Sequence, residues 1–308
     1  MVDFSIIIPH KDIPDLLQRC LDSIPVRDDV QVIVVDDNSD GNIVDFDHFP
    51  QWKGKYYECY FTKEGKGAGY ARNVGLEHAK GKWVVFADAD DFFYPPALIK
   101  LLGISIPEDA NIVLYQYRFC REDGSFYIFP EMTSSDESTG TPLVICYDTN
   151  VLCRTAVMPW AKMVRKVHLD KNNIRFDEIK WGNDMMYSTK LSLSVDSFLI
   201  VPILVYSHEW YPNSLVNKEL GLEMFYKRSL LSLKRASLLQ RGGKLDYNVF
   251  TDQWFRRVYT RSFFYSLFLI IKSSLRLGLK YCIKNWRLFT QKPFFLTRLL
   301  IKRLIRKS

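Results

Sequence analysis

Short apolar runs recur through the first third of the chain, and each ends in polar residues that suit a turn. Phe4–Ile8 (FSIII) closes at Pro9, and Val30–Val35 (VQVIVV) opens into Asp36-Asp37-Asn38-Ser39. Tyr56–Phe61 and Trp83–Ala87 follow the same pattern. Runs of this length, rich in β-branched residues and bounded by turn signals, predict strands buried on both faces. Between them lie segments with helical spacing. Asp12–Ser23 carries Leu16, Leu17, Cys20, Leu21 and, just beyond, Ile24 on one side. Tyr70–Lys80 carries Val74, Leu76 and Ala79 among polar residues, with Gly81 expected to stop it in a left-handed turn. Strand and helix in alternation predict a parallel α/β sheet.

The middle of the chain continues less regularly. Pro95–Leu102 reads as a helix that starts on proline. Ile112–Phe119 alternates Val113, Tyr115, Tyr117 and Phe119, then REDGS turns the chain into Phe126–Phe129, a hairpin. Residues 132–140 (MTSSDESTG) read as a surface loop. Pro159-Trp160-Ala161-Lys162 leads into a further strand or helix, Met185–Leu193 into a helix, and Phe198–Tyr206 into a strand. From about residue 216 the character changes. Glu219–Leu239 is helical and Gly242-Gly243 breaks it, Asp252–Leu279 reads as one long helix, and Pro293 starts a last one. Two domains are expected, at 1–215 and 216–308. The apolar stretch Phe263–Ile271 is too short to cross a bilayer, which takes about 20 residues.

Charge sharpens that division. The chain of 308 residues carries a net +7, yet no Asp or Glu occurs from Gln253 to Ser308, where 14 Lys and Arg fall. Residues 1–252 are left with 28 basic and 35 acidic groups, a net of −7. An acidic body with a basic tail points to a polyanionic partner of the tail. Lys272, Arg276, Lys280 and Lys284 recur every fourth residue as a stripe, with Leu275, Leu279, Cys282 and Trp286 beside it. Basic, aromatic and amphipathic together, the tail suits an anionic membrane surface, although a solvated face of a packed helix has the same pattern. The six cysteines are scattered without a CxxC pair and read as reduced thiols, Cys146 and Cys153 included. The chain opens almost directly on a strand, so no targeting segment is expected and a cytoplasmic setting is.

The candidate chemistry gathers at the ends of the strands. Pro9-His10, Asp36-Asp37 and Asp88-Ala89-Asp90-Asp91 all follow apolar runs. In open α/β sheets ligands sit at the carboxyl ends of the strands. Three carboxylates at one strand end repel one another unless a divalent cation is shared with a phosphate. An Asp-rich turn is also common for its own hydrogen-bonding reasons, and the cluster alone does not separate the two.

The ordered motifs SIIIPHKD, VVDDNSDG, GAGYARNVGLEHAKGKWVVFADADD, PWAKMVRK, IRFDE and WGNDMMY resemble those of family 2 glycosyltransferases over about residues 4–215. The resemblance implies the GT-A fold, a Rossmann-like nucleotide-diphospho-sugar transferase fold with a mixed central sheet. The basic helical stretch would follow it as a C-terminal extension. The resemblance also implies a nucleotide-sugar donor, a UDP-sugar first among them, and inverting transfer to a hydroxyl of a glycan or lipid-linked acceptor in surface polysaccharide synthesis. Carried over by position, Pro9 and Asp37 would meet the base, and Arg72 the diphosphate. Asp88 would face the ribose or the metal, while Asp90, with Asp91 in support, would hold Mg²⁺ or Mn²⁺. Asp184 would be the general base. Asn183 stands where the family usually has Glu, so the titrating role falls to Asp184. His208 would lie near the diphosphate or metal, or be a surface histidine. Trp160 would stack on the acceptor sugar, or belong to the core.

Other readings remain at this level. A nucleotidyltransferase would have a Gly-rich signature after the first strand, where PHKD stands instead. A non-catalytic body with a nucleic-acid-binding tail would show strongly salt-dependent binding. No nucleic acid is expected; the tail is assigned to the inner face of the cell membrane, with the enzyme peripherally attached.

Overall fold

The computed structural model describes residues 2–52, 57–130, 143–154, 156–179, 181–212, 221–244 and 252–283. The chain divides into two compact units, Met1–Asn217 and Lys218–Ser308.

The first unit is built on a ten-stranded mixed sheet. In chain order its elements are β1 (Phe4–His10), α1 (Pro14–Asp22), β2 (Val30–Asp36), β3 (Glu58–Phe61), α2 (Ala68–His78) and β4 (Trp83–Phe86). Next come β5 (Phe92–Phe93), α3 (Pro95–Leu102), β6 (Ile112–Cys120), β7 (Phe126–Phe129), β8 (Val144–Cys146) and α4 (Asn150–Arg154). A 3-10 turn at Pro159–Ala161 leads into β9 (Lys162–Arg165), α5 (Lys166–Lys171), α6 (Asn183–Ser194) and β10 (Phe198–His208). Strands run β3-β2-β1-β4-β9-β6-β10-β5 across the sheet, with β7 paired to β6 and β8 to β10. The β3, β2, β1 and β4 ribbons are parallel, as their apolar runs predict. The change comes at β9, which lies antiparallel between β4 and β6.

Every residue of β1, β2 and β4 is buried, which is why these strands read as continuous apolar runs. The helix α2 departs from its sequence reading. It begins at Ala68 and ends at His78, and its buried side includes Arg72 and Asn73 beside Ala71 and Leu76. Gly81 does not stop it in a left-handed turn. A Cβ there would lie 2.5 Å from the Ser5 nitrogen, so Gly81 lets the backbone pass close to β1.

The second unit holds α7 (Leu222–Arg241), α8 (Gln253–Arg261) and α9 (Phe263–Leu277) around Phe225, Leu233, Ala236, Phe255, Val258, Leu269 and Leu277. The single long helix expected over 252–279 is two. Ser262 leaves helical geometry (φ −148°, ψ 122°) and its hydroxyl accepts from the Tyr265 backbone N–H at 3.3 Å, capping α9. Gly278 (φ +87°) then ends α9, so Lys272 and Arg276 share that helix while Lys280 follows the break. The expected four-residue basic stripe is therefore interrupted. Tyr56, the loop 132–140, Glu219, Lys284, Trp286 and the segment from Pro293 onward lie outside the described residues. Among the described residues, which include all six cysteines, no disulfide forms. Among the described residues no helix is long and apolar enough to cross a membrane.

Candidate active site

The site grows from the carboxyl ends of β1, β2 and β4. His10 closes β1, and its backbone oxygen accepts from the Asp37 N–H at 2.8 Å, which ties Pro9-His10 to the end of β2. The two aspartates at the end of β2, Asp36 within it and Asp37 just beyond, then do different work. Asp36 accepts from His10 Nδ1 at 2.9 Å and from Ser39 through both its N–H and its hydroxyl. Burial alone would raise the Asp36 carboxyl, but these donors outweigh it and hold the carboxyl below its usual range. Asp37 accepts from the Thr62 hydroxyl at 3.0 Å and from the Gly67 N–H at 2.8 Å. Gly67 is the residue before α2, so Asp37 fixes the start of the helix that carries Arg72.

Arg72 is 5 % exposed and joins distant parts of the chain. Its Nη2 meets Asp88 Oδ1 at 2.5 Å and its Nη1 donates to Asn183 Oδ1 at 2.9 Å. The guanidinium also lies over Phe176, 5.3 Å from the ring centre. Its buried Nε has no hydrogen-bond partner. Asn73, the next residue, exchanges bonds with the backbone of Phe176, donating at 3.0 Å and accepting at 2.9 Å. The N-terminus of α6 can approach α2 because residue 69 is glycine: a Cβ there would sit 2.7 Å from Asn183 Cβ and 2.5 Å from the Asp177 oxygen. Asn183 and Asp184 thus begin α6 against α2, with Asp184 at the positive end of the helix dipole.

Asp88, Asp90 and Asp91 follow β4, each with a carboxylate oxygen within 4.8 Å of those of the other two. They are not equivalent. Asp91 is fully buried and accepts from the Glu209 N–H at 2.9 Å, the Tyr206 hydroxyl at 2.8 Å and His208 Nδ1 at 3.1 Å. Both of its oxygens are thus engaged by the end of β10. The Tyr206 hydroxyl in turn accepts from the Asp88 N–H at 2.9 Å, so one phenol braces both aspartates. Asp90 is held by its backbone, whose oxygen accepts from Arg19 Nη2. Its carboxyl is pushed up to about 7 by burial and then by Asp91 and Asp88. Three carboxylates, one pushed towards protonation by burial and then by its neighbours, offer hard oxygen donors that fit a divalent cation. Asp90 and Asp88 have the freer oxygens for it. The His208 ring is desolvated, yet the bond to Asp91 and the surrounding carboxylates outweigh that and raise its proton affinity.

Asp184 carries a raised carboxyl, first through burial, with Asp88 adding and Arg72 and Lys162 opposing. Lys162 opens β9 with no exposed surface and donates to the Ala156 oxygen at 2.7 Å and the Met158 oxygen at 2.6 Å. Burial brings its amine down to about 7, against the pull of Asp184. Of the two readings of Trp160, the structure fits core packing and not an acceptor platform. It is 2 % exposed and stacks on Tyr206 (4.9 Å, 16°) and His208 (5.3 Å, 13°), with Tyr117 edge-on at 4.7 Å. No face of the indole is left for a sugar, and the ring instead backs the two residues that hold Asp91.

Residues 5–166 match the profile of glycosyl transferase family 2. The chain belongs to that family. The poly(ribitol-phosphate) beta-glucosyltransferase of Bacillus spizizenii is 26 % identical over 200 residues, 62 % of this chain and 31 % of that one. The poly(ribitol-phosphate) beta-N-acetylglucosaminyltransferase TarP of Staphylococcus aureus is 23 % identical over 222 residues, 70 % of this chain and 64 % of that one. The chain therefore spans less than two thirds of either relative. Among solved structures, S. aureus TarS 1-349 in complex with UDP-GlcNAc has a TM-score of 0.63 at 18 % identity, covering 88 % of this chain and 79 % of that one. The mannosyltransferase PcManGT of Pyrobaculum calidifontis in complex with GDP-Man and Mn²⁺ has a TM-score of 0.51 at 15 % identity, covering 98 % and 79 %. These likenesses establish the fold, the GT-A arrangement with its mixed sheet.

Several residues of this site escaped the sequence. Tyr206 sits in a strand of apolar residues and looks like core. Arg19 looks like the polar side of α1. Lys162 carried a usable signal, a lone lysine between Pro159-Trp160-Ala161 and Met163-Val164, where a buried strand begins.

Proposed function

We propose that this family 2 glycosyltransferase moves a sugar from a nucleoside-diphosphate sugar, a UDP-sugar first among them, to a hydroxyl of a glycan or lipid-linked acceptor. The reaction inverts the anomeric centre in one displacement. The observation that carries this reading is the bridge from Asp88 through Arg72 to Asn183, which joins the acidic cluster to the start of the helix bearing Asp184. Support for the donor class comes from the UDP-GlcNAc named in the TarS complex, and for the acceptor class from the poly(ribitol-phosphate) polymers named for two relatives.

Asp184 removes the proton from the acceptor hydroxyl as its oxygen attacks the anomeric carbon. The bond from that carbon to the diphosphate breaks on the opposite side, and the nucleoside diphosphate leaves with the electron pair. Arg72 offers a planar cation to the diphosphate, with its Nε unpartnered and its Nη atoms held by Asp88 and Asn183. Asp90 and Asp88 would hold a divalent cation, Mg²⁺ or Mn²⁺, which would supply Lewis-acid stabilisation of the diphosphate. Asp91 orients that pair through Tyr206, and His208 braces Asp91 as well, its Nδ1 at 3.1 Å. Pro9 and Asp37 face the base from the ends of β1 and β2. Asn183 fixes Arg72. The acid-free stretch from Gln253 attaches the enzyme to the cytoplasmic face of an anionic membrane, where a lipid-linked acceptor would be met.

A panel of nucleotide sugars with Mn²⁺ tests the reading by release of free nucleoside diphosphate. Release from one or more sugars, lost on chelation, supports it. No release or acceptor-stimulated turnover from any member of the panel, with the cation present, counts against it.

A further inference from the structure

Helix α9 is apolar on two opposite sides. Its inner side, Ser266, Leu269, Ser273 and Leu277, is buried, and Leu269 and Leu277 pack with Phe225, Leu233 and Val258. Its outer side carries Leu267, Phe268, Ile271 and Leu275, all exposed, with Phe268 at 56 % and Leu275 at 80 %. Residues three, four and seven apart share a face of a helix, so these four make one continuous ridge. Scattered apolar side chains are ordinary on a surface, but a contiguous exposed stripe marks an interaction site. Beyond the break at Gly278, Leu279 and Ile283 are exposed as well.

The charges beside the ridge narrow the occupant. Lys272 and Arg276 fall on one flank of it, and no acidic residue occurs in the 56 residues from Gln253 onward. A typical protein partner presents charges of both signs; an anionic lipid surface presents one sign above an apolar layer. A helix with an apolar ridge and a purely cationic border matches the second. At 15 residues α9 is too short to cross a bilayer, so it would lie in its plane.

We infer that the outer ridge of α9 is a lipid-binding site. Phe268, Ile271 and Leu275 enter the boundary between headgroups and acyl chains of an anionic bilayer, and Lys272 and Arg276 lie at the phosphates. The inference rests on the membrane attachment proposed above and assigns it to a particular face.

The test is flotation of the full chain with phosphatidylcholine vesicles, with and without phosphatidylglycerol, for the wild type and the double variant Phe268→Ser, Leu275→Ser. Both substituted side chains are exposed, so the variant should keep its melting temperature. The expected result is binding that requires phosphatidylglycerol, weakens with salt, and falls by about tenfold or more in the double variant. Equal flotation of the variant would overturn the assignment to α9 while leaving attachment elsewhere in the tail. Absence of flotation by the wild type would overturn both. A dimer in solution that the double variant makes monomeric, with no lipid binding, would assign the ridge to a second copy of the chain and also overturn the inference. Nucleoside diphosphate release in solution, read on the same samples, reports on the transferase reading separately.

Discussion

Arg72 donates to Asn183 at 2.9 Å, a contact between residues 111 positions apart. It explains a departure from the family pattern, where an acidic residue is usual. Asn183 offers a neutral oxygen to a guanidinium whose other end already meets Asp88 at 2.5 Å, so Arg72 keeps a larger share of its charge for a ligand. Arg72→Lys cannot span both partners, because an ammonium is a point donor on a flexible stem. Nucleoside diphosphate release should fall by about 100-fold, the scale seen when one preorganised donor to a developing anion is lost. Steady-state kinetics with the best donor checks it.

Asp184 gives the pH dependence its sign. Burial raises its carboxyl, so a larger fraction is protonated at a given pH than for an ordinary aspartate. A base must be unprotonated, so kcat/KM should climb with pH to a plateau, with an apparent pKa above the usual aspartate value. Asp184→Asn should lower turnover by about 100-fold to 10,000-fold and leave donor binding intact. Rate–pH profiles together with donor titrations test both statements.

The Tyr206 phenol braces two aspartates, donating to Asp91 at 2.8 Å and accepting from the Asp88 N–H at 2.9 Å. Tyr206→Phe leaves the part-buried Asp88 amide unpaired and Asp91 with only Glu209 and His208 as donors. Thermal or denaturant unfolding should show a loss of about 1–3 kcal/mol for the amide left unsatisfied. Loss of divalent-cation affinity should accompany it.

Lys162 contributes a pH-dependent stability of its own. Its amine is near 7 in the fold and 10.5 in the unfolded chain, so between those values the unfolded state binds more protons. Stability then rises with pH from about 7 to about 10, and below 7 the full cost of burying the charge is present. Lys162→Met removes this contribution. The rise in melting temperature from pH 6 to pH 9 should be larger in the wild type than in the variant, a comparison in which buried groups not coupled to Lys162 cancel.

Legibility in the sequence followed burial. β1, β2 and β4 announced themselves because both faces are covered and, apart from Ser5, His10, Gln31 and Asp36, every position is apolar. β9 did not, since it is four residues long and starts with Lys162. The clusters at Pro9, Asp37 and Asp88–Asp91 were readable from strand ends alone. What they touch was not: Asp37 bonds Gly67, Arg72 bonds Asn183, and Asp91 is saturated by β10, all through pairings that no local pattern encodes. Trp160 has the composition of a sugar platform and the environment of a core residue, a difference that only packing reveals. Ser262 shows the same limit on a smaller scale, because a serine inside an apolar helical pattern either continues it or caps the next helix.

Divalent-dependent donor binding separates the role of Asp90 from that of Asp184. UDP-sugar affinity should be measured with Mn²⁺ and after chelation, for the wild type, Asp90→Ala and Asp184→Asn. The expected result is metal-dependent binding in the wild type and in Asp184→Asn, which binds without turning over, and none in Asp90→Ala. Equal donor affinity in all three proteins with and without the cation, or normal turnover by Asp184→Asn, would contradict the assignment of the acidic cluster to the metal and of Asp184 to the base.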